Sequence, residues 1–452
     1  MLKGPRGELF HNKSILYAVL IVFYIALVVE VSISNIADIK PVVSDFRISI
    51  LGIGLFVLLT IIFLICQFVI MKHSFIPKEI GIPPFRKISF FKIIQFVQYL
   101  LGAILVIVVF QILLASRYDR LELVVAVILS YGLATVLMGL LAYRLFEWFT
   151  VSKNMVTLLF AIAASFTAIN AATSLYLYDE ILIASQPSVI IPSTNSEWKL
   201  PHEQGDYMVM VNQLQFISMW GYFIMTYVGT IFLLIHHIKK IGMVRFWILV
   251  VAPLLFFVYN YPVLFKYVLP DAPNLLPHPL EVIPNYIILT ISIALLGIII
   301  GIGFFSVSHS IKGKKAIQSS LIITAFGFIF YFNAADATVL HVPYPPYGLL
   351  CVSIVGFSAF LIYAGLYKSA ASISRDVQLR NSIRKSVQHQ FKFLSGMGMA
   401  QMRQEMEKSI DVIIKESELA RPNIEHTSLS EDEVKQYANE VLEELAKFKT
   451  SK

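Results

Sequence analysis

The dominant pattern along the chain is a series of long apolar runs separated by short polar stretches. A helix needs roughly 20 mostly apolar residues to cross about 30 Å of hydrocarbon. Runs of this length predict ten membrane-spanning helices, at residues 14–36, 48–71, 90–115, 121–146, 154–178, 212–237, 244–266, 286–308, 317–340 and 347–368. A membrane β-barrel would show shorter, alternating segments. The predicted fold class is therefore all-α: a polytopic integral membrane helix bundle with a cytoplasmic C-terminal helical tail.

Composition agrees with a membrane location. Hydrophobic residues make up 57% of the chain and charged residues 14%, and the mean hydropathy is +0.73. These values exclude an ordinary soluble protein of this size. The lipid bilayer is accordingly the first predicted partner.

The Lys and Arg residues of the loops predict the orientation. Fifteen of them fall on one side of the ten spans and six on the other. Because cytoplasmic loops carry an excess of Lys and Arg, both termini are predicted to be cytoplasmic. The net charge of +7 largely reflects this bias, so no nucleic-acid partner is predicted.

Charge and proline divide the chain into four predicted parts. Residues 1–13 form a cytoplasmic N-terminus, and 14–368 form the transmembrane domain, with its longer outer loops at 179–211 and 267–285. Residues 369–420 are predicted to form an amphipathic cytoplasmic helix, with a hinge at 396–398 because two glycines weaken a helix there. Residues 421–452 are predicted to form a short acidic helix.

The amphipathic tail needs a surface to cover its apolar stripe. A cytoplasmic protein, or a second copy of this chain, is the expected partner through residues 369–452. The start of the tail also carries a basic patch that is suited to anionic headgroups, formed by Arg375, Arg380, Arg384 and Lys385. The alternative interpretation is that these cations only continue the cytoplasmic bias.

The tail also resembles a known family. The shared residues are Ser374-Arg375-Asp376, Leu379-Arg380 and Ile383-Arg384, followed by Met402 and Glu405. They resemble the C-terminal signature of a family of polytopic membrane proteins of ammonia-oxidising archaea. The resemblance covers about 50 residues and implies an archaeal cell-membrane protein. The resemblance implies no known activity and no functional residues for this chain.

Polar residues inside the predicted spans are the candidate site. Counting along the outward-running spans places Glu30, Asn170, Asn260 and Asn333 at a similar depth, and Asp336 lies about one turn beyond Asn333. Exposing such groups to lipid is costly, so they are predicted to face the protein or water. They would then either clasp helices together or line an outward-open polar cavity.

The two acids favour the cavity. Glu30 and Asp336 must be protonated or meet a cation, and no Lys or Arg lies deep in any predicted span. The asparagines alone favour clasping, since interhelical hydrogen bonds commonly use this residue. Both interpretations remain open from the sequence.

The sequence contains no nucleotide-binding, metalloprotease, serine hydrolase or kinase motif. No enzyme activity, cofactor or metal site is therefore predicted, and the two cysteines are interpreted as small buried hydrophobes. An outer polar layer combined with a long inner tail favours a sensor or receptor-like signal transducer. The alternatives are a secondary transporter, or a structural subunit that binds partners through its tail.

Overall fold

We analysed a computed structural model of the chain. It describes residues 13–37, 50–74, 84–116, 118–184, 206–235, 297–309, 315–334, 345–375 and 396–404, together with short pieces at 238–254, 295 and 393–394. Within these residues all regular secondary structure is helical. The all-helical fold class is confirmed for this part of the chain.

Nine labelled helices cover most of the described residues. Eight are long: α1 (Lys13–Ala37), α2 (Ile50–Ser74), α3 (Pro84–Ala115), α4 (Arg120–Ser152), α5 (Met155–Ala184), α6 (Asp206–Leu234), α8 (Lys315–Ala334) and α9 (Leu349–Arg375). The ninth, α7 (Gly297–His309), is shorter. The eight long helices are each apolar and long enough to cross a membrane. The protein is therefore a multi-pass membrane protein.

These eight helices coincide with eight of the ten predicted spans. Most of the predicted span 244–266 lies outside the described residues, and the span 286–308 is described mainly from residue 297 onward. The total of ten spans thus stays a prediction. The acidic helix at 421–452 also lies outside the described residues.

Local capping explains why α4 and α5 form a tight hairpin. The Asp119 side chain accepts a hydrogen bond from the Leu121 amide and caps the start of α4. Lys153 adopts a left-handed conformation and ends α4, and its amide donates to the Phe149 carbonyl. Asn154 then caps α5 by accepting from the Val156 amide at 2.8 Å. Only two residues separate the helices.

Helices α8 and α9 form the centre of the bundle. The buried share of the membrane-spanning stretch is 94% for α9 and 83% for α8, against 33% for α3. Helix α9 packs against α8 and α4, α4 packs against α5, and α5 packs against α6. Large apolar side chains are exposed on the outer helices, including Ile25, Phe96 and Val136. This arrangement leaves the outer helices to face lipid and shields α9 from it.

A buried hydroxyl joins α4 to α9. Ser130 on α4 donates a hydrogen bond to the Val352 carbonyl and accepts one from the Gly356 amide at 2.9 Å. An α-helix normally pairs these two backbone groups with each other. Gly356 permits the approach, because a β-carbon there would lie 2.7 Å from the Ser130 carbonyl oxygen.

Candidate functional site

Glu30 on α1 binds the start of α9. Its side chain is fully buried. The Gly348 amide donates to one carboxyl oxygen and the Cys351 thiol donates to the other. The first amides of a helix lack partners within that helix, and the helix dipole is positive there. The carboxyl of Glu30 therefore caps α9 from a helix more than 300 residues away in sequence.

The chain just before α9 is non-helical yet buried. Residues 345–348 are all buried, and the Tyr347 hydroxyl donates to the Gly52 carbonyl on α2 at 2.6 Å. Gly348 has a φ of 98°, a conformation that favours glycine. Glu30 lies seven residues before the end of α1, about 10 Å along its axis. Helix α9 thus begins inside the bundle, where Glu30 accepts from the Gly348 amide and the Tyr347 side chain joins the preceding segment to α2.

Asn333 forms a second joint, between α8 and α1. Its side-chain amide donates to the Ile329 carbonyl of α8 at 2.7 Å, and it lies beside the Tyr24 side chain of α1. A β-carbon on Gly297 of α7 would lie 3.2 Å from the Asn333 amide nitrogen. Tyr24 comes six residues before Glu30, about 9 Å along α1. Asn333 and Glu30 are therefore offset along α1 rather than level.

Asn170 forms a third joint, between α5 and α6. Its side-chain amide donates to the Gln215 carbonyl at 3.3 Å. The Gln215 side chain returns to α5 and donates to the Ser174 hydroxyl at 3.0 Å. Asn170 is buried, as are Glu30 and Asn333. All three side chains thus point into the protein.

In the described part of the chain these three residues clasp helices at three separate joints. Asn260 and Asp336 lie outside the described residues. The shared polar cavity that the sequence favoured therefore stays a prediction. Of the basic patch, only Arg375 is described, as the last residue of α9, while Arg380, Arg384 and Lys385 lie outside.

Both cysteines are buried and unbridged. Interpreting Cys351 only as a small hydrophobe overlooked its contact with Glu30, because a thiol can also donate a hydrogen bond. Among the described residues, no three His, Cys, Asp or Glu side chains are grouped so as to hold a metal ion.

The sequence also did not predict where the tail packs. Residues 393–404, described at 393–394 and 396–404 and here called the docked segment, are helical and mostly buried. The Phe393 ring lies 5.9 Å from the Phe160 ring of α5, measured between centroids. Arg144 on α4 donates to the Gln404 side chain at 2.7 Å. The docked segment thus lies at the end of the bundle where α4 ends and α5 begins.

Both glycines of the docked segment are points of close approach. A β-carbon on Gly396 would lie 2.6 Å from the Ser152 β-carbon at the end of α4. A β-carbon on Gly398 would lie 2.9 Å from the Ile373 β-carbon near the end of α9. The hinge predicted at 396–398 stays a prediction, and close packing is a second reason for glycine at these positions.

Comparison with models of protein families, with curated proteins and with solved structures finds no match for this chain. The resemblance of the tail to an archaeal membrane protein family therefore stays a prediction.

Proposed function

We propose that the protein is a membrane signal transducer in which α9 couples the Glu30 joint to the docked segment. One observation carries this proposal: the same helix contacts Glu30 through Gly348 and Cys351 and contacts the docked segment through Ile373. Helix α9 has 27 residues and is about 40 Å long. A change at one end of α9 therefore has a direct physical route to the other.

The packing of α9 favours movement as a unit. Gly356 and Gly365 bring its backbone against α4 and α8, where a β-carbon would meet backbone atoms within 3 Å. Packed helices of this kind shift between discrete arrangements rather than deform continuously. A stimulus that alters the Glu30 joint would then bias the position of Ile373.

The proposed orientation places the docked segment in the cytoplasm. The excess of Lys and Arg marks the loops on that side. Helix α4 has 33 residues, about 50 Å, and therefore exceeds the hydrocarbon thickness of about 30 Å. Its last turns, which carry Arg144 and Ser152, would extend to the cytoplasmic surface. A signal received near Glu30 would leave through the tail.

Hydrogen exchange of the full chain in lipid nanodiscs tests the coupling. Glu30→Gln keeps the size of the side chain but weakens its hold on the start of α9. We expect amides of residues 393–404 to exchange about threefold faster or more in this variant. Ser32→Ala is the matched control, because within the described residues the Ser32 hydroxyl bonds to Val28 of its own helix, at 2.7 Å.

Two results would reject the proposal. One is faster exchange at residues 349–355 with no change at 393–404, which would show a loosened joint without coupling. The other is an equal effect of Ser32→Ala. Cys351→Ala provides a milder disturbance of the same joint, and we expect a smaller change of the same sign.

A secondary transporter is the second candidate, and one observation favours it. Non-helical backbone at membrane depth occurs where it is buried in protein or lines a cavity, and transporters use such helix breaks at substrate sites. Residues 345–348 are non-helical and buried beside Glu30. Sodium and proton flux into proteoliposomes is the measurement. Flux that Asp336→Asn or Glu30→Gln abolishes would favour transport over signalling.

A further inference from the structure

The docked segment is a poor helix when taken alone. Its described residues are 393–394 and 396–404, and most helical stability in proteins comes from packing of a buried face rather than from intrinsic propensity. Gly396 and Gly398 each lower helix formation about fivefold relative to alanine. The helical structure of this segment therefore depends on its contacts with the bundle.

Those contacts are extensive for so short a segment. Phe393, Leu394, Met397 and Ala400 are each at most 1% exposed. The two glycines place the segment backbone directly against Ser152 and Ile373. Because all these contacts are made by one helical segment, we expect them to form or break together.

We infer that residues 393–404 form a two-state latch, helical while docked on the ends of α4, α5 and α9, and unfolded when released. The role of this latch as the signal output rests on the proposed function. Gly396 and Gly398 matter to the latch because a β-carbon at either position would lie less than 3 Å from Ser152 or Ile373, so a side chain there disfavours docking. Gly396→Ala should thus favour the helix in isolation but disfavour it in the protein.

The opposite signs of these two effects define the test. Hydrogen exchange of residues 393–404 is measured on the full chain in lipid nanodiscs. If the segment were a stable helix by itself, Gly396→Ala would slow exchange. If docking holds the helix, we expect exchange to rise about tenfold or more. Met399→Ala is the control within the same segment, because Met399 is 39% exposed.

A compensating change separates docking from general damage. Ser152→Gly removes the β-carbon and hydroxyl that meet Gly396 and leaves the Ser152 α-carbon 3.9 Å from a new β-carbon. We expect the double variant Gly396→Ala/Ser152→Gly to return exchange to within about threefold of the unmodified protein. Ser152→Gly alone completes the cycle and should change exchange little.

Three outcomes would overturn the latch: unchanged or slower exchange in Gly396→Ala, failure of Ser152→Gly to restore protection, or faster exchange spread over α1–α9. The outcome of the Glu30→Gln experiment is independent of this test. A latch that responds to Gly396→Ala but not to Glu30→Gln would confirm the two-state segment and reject signalling from the Glu30 joint.

Discussion

Gly365 on α9 lies directly against Ser320 on α8. A β-carbon on Gly365 would lie 2.7 Å from the Ser320 carbonyl oxygen and 2.9 Å from the Thr324 amide nitrogen. Both are backbone atoms, so neither can move aside as a flexible side chain would. Small residues let membrane helices approach this closely. The central pair α8 and α9 therefore depends on glycine at this position.

Gly365→Ala should destabilise the protein by about 1–3 kcal/mol, because the added methyl group forces two backbones apart. Gly132→Ala is the matched control: Gly132 lies within α4, and a β-carbon there would meet nothing within 4 Å. We expect Gly132→Ala to be neutral, or stabilising by up to about 1 kcal/mol. Thermal unfolding of both variants in one detergent gives the comparison, and equal losses would contradict the α8–α9 packing.

The Ser130 hydroxyl should contribute more than an ordinary helix hydroxyl. Ser130→Ala removes a partner of both Val352 and Gly356 in the buried centre, at an expected cost of about 1–3 kcal/mol. Thr135→Ala on the same helix is the control, since the Thr135 hydroxyl bonds to the Tyr131 carbonyl of its own helix at 2.8 Å. Denaturant unfolding is the measurement. If Ser130→Ala lowers the unfolding free energy no more than Thr135→Ala does, the Ser130 hydroxyl does not join α4 to α9 as proposed.

Run length predicted the fold well because a membrane helix must satisfy its own backbone. The helix ends were less predictable: α5 continues to Ala184 although the predicted span ended at 178, and α3 begins at Pro84 rather than at 90. The backbone hydrogen bonds of a helix can continue into polar residues beyond the apolar run. Hydropathy does not record where the helix leaves the hydrocarbon.

The burial of Glu30, Asn170 and Asn333 could be predicted from the sequence, whereas their partners could not. Burial of Glu30 follows from the cost of exposing an acid to lipid, but its partner is a backbone amide 318 positions along the chain. Every residue except proline has a backbone amide, so the sequence does not indicate which amide Glu30 will bind. The expected common depth assumed that all helices start at one height, whereas the contact of Asn333 with Tyr24 shows an offset.

The tail shows the same limit. The sequence predicted an apolar stripe along the helix at 369–420, and Leu394 in this range is buried. Met402 is only half-buried, whereas Met397 and Gln401 are buried. The two glycines lie on the buried face because they fit closely against the bundle. A scale of hydrophobicity does not detect such shape complementarity.

A buried glutamine pair joins α2 to α3, and its removal tests how polar clasps contribute. The Gln67 side chain donates to Gln98 at 2.7 Å. Losing one partner leaves a buried polar group unsatisfied, so Gln67→Leu should cost about 1–3 kcal/mol. The double variant Gln67→Leu/Gln98→Leu should recover most of this loss. A double-mutant cycle of unfolding free energies measures the coupling, and strictly additive losses would contradict it.

Surface labelling tests the orientation on which the proposed function depends. The native cysteines are both buried, so single cysteines introduced by Ser116→Cys, Thr150→Cys and Met399→Cys report on their own positions. Ser116 follows α3 at the Glu30 end, whereas Thr150 and Met399 lie at the opposite end, and all three are exposed. With an impermeant maleimide, intact cells should label only Ser116→Cys, because the excess of Lys and Arg predicts that the other end is cytoplasmic. Inverted vesicles should label the other two. The reverse pattern would place the docked segment outside the cell and would remove it as a cytoplasmic output.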